Sequence, residues 1–167
     1  MTTTTINYVS VDTITITQTS LADGGYRSSA AVDNTTNKYM DALVGGLTQI
    51  GAVAADGTFS VYAYGSFDGT NYTAGLDGAD GTITWGTTPS TTGADGYLNL
   101  PLLGTVSVDT AEDNKDVRWG PFSIAAAFGG VMPKKWGIVI KNSTGISFHA
   151  TGTNNTVKFQ GVKYDAA

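Results

Sequence analysis

The stretch Phe59-Ser60-Val61-Tyr62-Ala63-Tyr64-Gly65-Ser66-Phe67 decides the fold. Side chains alternate across a strand with a period of two. Phe59, Val61, Ala63 and Phe67 therefore share one face, which reads as core. Ser60, Tyr62, Tyr64 and Ser66 share the other, where two tyrosines suit an interface or a sugar platform. The run stops at Asp68-Gly69-Thr70-Asn71, a turn sequence. The same punctuation recurs at Asp23-Gly24, Asp56-Gly57, Asp77-Gly78, Asp80-Gly81 and Asp95-Gly96, each between short apolar-alternating runs. Asp-Gly between such runs is a strong tight-turn signal, and the whole pattern is that of an all-β domain.

Working outward, Thr82 to Trp85, Tyr97 to Val108, Val117 to Ile124, Trp136 to Lys141 and Thr156 to Tyr164 read as further strands. Pro101 marks an edge or bulge. Asn142 to Gly145 turns the Trp136 strand into Ile146 to Ala150, a predicted hairpin. Tyr39 to Val44 is open to a short helix capped by Asn37, but the run is short for a helix and its surroundings favour a strand. The alternation in Thr156 to Tyr164 changes phase at Gly161, which predicts a bulge. Eight to ten short strands without repeat or linker predict an all-β, two-sheet β-sandwich of jelly-roll type.

Residues 6 to 18 break the period. Ile6 and Tyr8 share one parity, Val9 and Val11 the other, and Ile14 and Ile16 return to the first. A single buried face does not survive those switches. Bulges near Tyr8–Val9 and Asp12–Thr13 would account for them, as would a segment running between two surfaces. We read residues 1–18 as an extended N-terminal arm or first strand, and residues 19–167 as one sandwich domain. As an arm it would be removable with the sandwich intact.

Composition limits the chemistry. The 167 residues contain no cysteine, one histidine (His149) and one glutamate (Glu112). Only 14% are charged, and roughly one in six is threonine, so hydroxyls cover the surface that Lys and Glu usually cover. A net charge of −5 argues against nucleic acid or an anionic membrane as partner. Met1-Thr2-Thr3-Thr4-Thr5 has neither the basic nor the apolar region of a secretory signal. The apolar stretch from Pro121 to Met132 is too short to span a bilayer. One histidine cannot build a multi-histidine zinc site, and no serine stands in a nucleophile-elbow context. Asp68, Asp77 and Asp80 have the oxygen chemistry for Ca²⁺ but lack the ligand spacing of a calcium loop, and turn chemistry already explains them. The chain reads as a non-enzyme without cofactor or metal.

Several segments carry a resemblance. Trp119-Gly120-Pro121-Phe122, Phe128-Gly129-Gly130, Pro133-Lys134-Lys135-Trp136-Gly137 and Asn142 to Gly145 resemble small virion proteins of tailed bacteriophages, as do Asn34 to Asp41 and Tyr62 to Asp68. The most similar kind is the capsid decoration, or cement, protein. The resemblance implies a jelly-roll or β-sandwich domain, often a homotrimer, made in the host cytoplasm and seated on the major capsid protein lattice at the outer surface of the virion. Interface candidates on that reading are Ile6, Tyr8, Val9, Val11, Ile14 and Ile16 in the N-terminal segment, with Tyr62, Tyr64, Trp85 and Trp119 as aromatic anchors. The alternatives are a carbohydrate-binding domain, or a tail, fibre or baseplate component.

Overall fold

A computed structural model describes residues 3–51, 54–84, 99–110, 115–151 and 154–166. Ten strands run through them: β1 Thr4–Ile14, β2 Tyr26–Ser28, β3 Val32–Asp33, β4 Asp41–Gln49, β5 Ala54–Ser66, β6 Gly81–Ile83, β7 Leu102–Thr110, β8 Asp116–Ser123, β9 Lys135–Ser143 and β10 Thr156–Ala166. A single-turn helix, α1 (Ile124–Ala127), follows β8. The strands form two antiparallel sheets, so the chain is an all-β sandwich. Sheet A has the order β1-β10-β4-β8, and sheet B the order β6-β2-β9-β5-β7, with β3 also on β9. The pairings are nested: β5 with β7, β4 with β8, β2 with β9, and β1 with β10.

The core lies between the sheets. Phe59, Val61 and Ala63 of β5 and Trp136, Ile138 and Ile140 of β9 are fully buried there, against Val44 of β4 and Phe159 of β10. Rings meet edge to face, as their quadrupoles prefer: Trp136 on Phe159 at 5.3 Å and Phe59 on Phe148 at 5.7 Å.

Part of the other face of sheet B is covered as well. The connection from β5 to β6 folds back over it, and Tyr64, Leu100 and Val139 form a second buried cluster with Tyr62, Tyr72 and Leu76 packed against them. The Tyr64 hydroxyl donates to the Ser29 carbonyl at 2.6 Å, and burial pushes its pKa well above the ordinary tyrosine value. The tyrosine face of β5 is thus interior near Tyr64, whereas Phe67, expected in the core, lies past the strand end and is exposed.

Four other expectations change. Asp56-Gly57 lies inside β5, at a register shift against β7, because Gly57 packs on the Thr144 backbone where a Cβ would sit 2.4 Å from its Cα. Asp80-Gly81 leads straight into β6. The predicted hairpin after β9 does not form. Both edges of β9 are taken there, by Thr58–Phe59 on one side and by Gly24 and Gly25 backbone bonds to Asn142 on the other. Residues 146–150 instead make one bridge, between Ile50 and Phe148. Finally, β1 and β10 share a single irregularity, between Tyr8 and Val11, where two residues of β1 oppose Gly161 alone. The bulge therefore sits on β1, β10 runs on unbroken against β4, and Asp12 and Thr13 keep regular register.

Candidate functional site

The segment read as an arm or first strand is β1, the edge of sheet A, paired with β10 along its length. β10 pairs with β4 only from Thr156 to Val162. Beyond that point Thr4–Asn7 and Lys163–Ala166 form a two-stranded ribbon. The two faces of this ribbon differ. Ile6 lies opposite Tyr164, and Tyr8 opposite Val162, on the outer face. On the other face Asn7 Nδ2 donates to Asp165 at 2.6 Å, and Lys163 Nζ lies 3.2 Å from the same carboxylate. The Asn7 and Lys163 hydrogen bonds hold the Asp165 carboxyl below the ordinary aspartate value.

The bulge extends the apolar face. By inserting one extra residue it returns Val11 to the side of Ile6 and Tyr8, opposite Gln160. The Gln160 side chain secures the irregularity, its Nε2 donating to the Val9 carbonyl at 2.9 Å. Ile6, Tyr8, Val11 and Tyr164 are 56–59% exposed. Beside Val11 the face continues as a shallow groove of about 240 Å³ floored by Leu43, Gly45 and Pro121, with Lys158 at its margin. Sheet A thus presents an open apolar face, whereas the matching face of sheet B lies under its own loop around Tyr64 and Val139 and is open and polar at Ser60, Thr105 and Ser107.

Of the candidates named from the sequence, Ile6, Tyr8 and Val11 meet on this face. Val9 is half-buried in the bulge. Ile14 is in the core and Ile16 packs against it. Tyr62 is half-buried and Tyr64 fully buried. Trp119 is also interior: its Nε1 donates to Thr48 Oγ1 at 3.0 Å and its ring stacks on Phe122. Trp85 lies outside the described residues. Sequence reasoning missed Tyr164, Leu43 and Pro121. The signal for Tyr164 was present in the phase change at Gly161, which marks apolar side chains moving from the inner face to the outer one.

The acidic residues that suggested calcium are engaged elsewhere. Asp80 accepts from Arg27 Nε at 2.7 Å and from the Thr17 backbone and hydroxyl. Burial alone would raise its pKa, but the bonds from Arg27 and Thr17 outweigh that and hold it below the ordinary value. Asp68 closes its turn by accepting from Asn71, Thr70 and Ser66, which hold its carboxyl well below the usual range. Asp77 accepts from the Ala79 amide. Among the described residues no three His, Asp or Glu side chains converge as a metal site requires. His149 Nδ1 accepts from the Thr151 amide at 3.0 Å.

Among known proteins, no family model matches this chain. No curated protein matches it, and no solved structure does.

Proposed function

We propose that the chain is a structural protein of a tailed-bacteriophage virion. On this reading it is a capsid decoration (cement) protein, a homotrimer on the outer capsid surface, that binds the major capsid protein lattice, stabilises the head and carries out no catalysis. The observation that carries the reading is the open outer face of sheet A, where Ile6, Tyr8, Val11 and Tyr164 stand more than half exposed. Exposed tyrosine and large aliphatic side chains suit the centre of a protein contact, with Lys158 and Asp41 at its rim.

The resemblance of the Trp119–Phe122 and Pro133–Gly137 segments to phage virion proteins points the same way. The fold is compatible with it. Counting β1, β2, β4, β5, β7, β8, β9 and β10 as eight strands, the nested pairs are first with eighth, second with seventh, third with sixth and fourth with fifth. A long hairpin rolled into two sheets produces that order, which supports the jelly-roll reading. The sugar-binding alternative loses support, since Tyr64 and Trp119 are interior.

The test is reconstitution. Expanded capsids depleted of this chain are mixed with the purified protein and imaged by electron cryomicroscopy. Density for the chain on the shell is expected, and Ile6→Lys with Tyr8→Lys should weaken binding at least tenfold in a chain that stays folded. Shells left bare at saturating protein would end the proposal, and density on a tail would move it to the tail alternative.

A further inference from the structure

We infer that β1 pairs edge to edge with β1 of a second copy, joining the two A sheets across a two-fold axis near Ile6. An edge strand presents a row of free backbone N–H and C=O groups, and proteins usually blunt such edges with charge, proline, bulges or short length. The other sheet edges are blunted: β6 has three residues, β8 carries Asp116, Arg118 and Pro121, and β7 has irregular register against β5. The stretch Thr4–Tyr8 of β1 is regular, precedes the bulge, and contains no charge and no proline.

What covers this edge is another strand, and the chemistry of β1 fits itself. An antiparallel pair centred on Ile6 sets Ile6 against Ile6 of the other copy and Tyr8 against its Thr4. Because Ile6 already faces Tyr164, one face then carries a continuous row: Tyr164, Ile6, Ile6 and Tyr164. Cross-strand pairs of this kind stabilise sheets. The one charge in β1, Asp12, falls beyond the overlap, so two copies of net charge −5 meet along stretches of β1 that carry no charge, with the Lys163–Asp165 pair one strand further in.

Area sets the strength. Of the exposed side chains only Ile6 and Tyr8 stand within the Thr4–Tyr8 overlap, and an edge-to-edge pair leaves their outer face open. The contact is therefore small beside the ~800 Å² per partner of a standard interface, and the pair is reversible. The inference does not depend on the virion reading. In a trimeric chain the same contact would link two trimers, because a two-fold pair cannot close a three-fold ring.

The isolated full chain provides the test. It has no cysteine, so a single introduced thiol reports proximity. Directly opposed residues in an antiparallel pair lie about 4.5–5.5 Å apart at Cα, within disulfide reach. Ile6→Cys should therefore cross-link on mild oxidation. Val11→Cys, about 30 Å from its counterpart at ~3.3 Å per residue, should not. Sedimentation of the native chain from 1 to 500 µM should show reversible doubling of mass. Mass independent of concentration would overturn the inference, as would absence of the Ile6→Cys cross-link in a folded chain. Cross-linking at Val11→Cys would overturn it too, since that outcome means the sheet faces stack.

Discussion

At Asp80 a turn residue has become an anchor. Its carboxylate joins Thr17, just past β1, to Arg27 in β2, and so ties the first connection to sheet B. Replacing it with Asn should cost about 1–3 kcal/mol at neutral pH, the range for a charge-assisted hydrogen bond whose partner is left partly buried. The sign of the pH effect follows from the lowered pKa. A carboxylate with a depressed folded value contributes stability above its unfolded value, here near 3.8, and loses it as pH falls through the folded value. Denaturant melts should therefore show the gap between the native chain and Asp80→Asn narrowing as pH drops below about 4. A gap that stayed constant down to pH 2 would show that the charge contributes nothing. The sequence made Asp80 visible as half of an Asp-Gly pair and as a candidate calcium ligand, but not as an anchor. Its partners lie 53 and 63 positions away, a distance that local turn rules do not reach.

Strand β9 marks where local reading succeeds and where it stops. Trp136, Ile138 and Ile140 were legible as one buried face from their alternation. The absent hairpin was not legible, because turn chemistry at Asn142 to Gly145 says nothing of what already occupies the strand's edges. Asn142 itself is fully buried. Its Nδ2 donates to the Leu21 and Ile146 carbonyls, and its Oδ1 accepts from Thr144. One side chain thus fixes the end of β9 to two connections. Asn142→Ala should strand those groups without partners and lower stability by about 2–3 kcal/mol, measured as a shift of the denaturant midpoint with unchanged slope. In β1, the switch after Tyr8 was legible as an irregularity, but period-two arithmetic alone does not separate a bulge from a change of surroundings. The return to the Ile14 parity is such a change, since Ile14 has register with Val157 and turns inward to the core.

For the whole molecule, β1 is part of the sandwich. Ile14 is 3% exposed and Gln18 is 1% exposed with its Oε1 held by Thr48. Deleting residues 1–14 would uncover Val157 and Phe159 along with the edge of β10. Loss of one buried aliphatic costs about 2–5 kcal/mol. At roughly 2–4 °C per kcal/mol for a chain of this size, that loss alone should lower the melting temperature by about 4–20 °C. A truncated chain that melted like the full one would restore the removable arm of the sequence reading. The all-β class and most strands could be read from alternation and turns. Which sheet face stayed open could not, because the cover over sheet B comes from a polar loop whose packing depends on Tyr72 and Leu76 finding Tyr64.

The outermost nested pair sets how the molecule bears force. Thr4 lies opposite Ala166, so tension applied at these two positions pulls the strands apart along the direction of their hydrogen bonds. The rungs then yield one after another, as a zipper opens, and the resistance at any instant is that of a single rung. Load entering through the side chains of sheet A is instead spread over several strands at once. A protein of this shape that holds a strained surface together is strong when gripped by its face and weak when gripped by its ends.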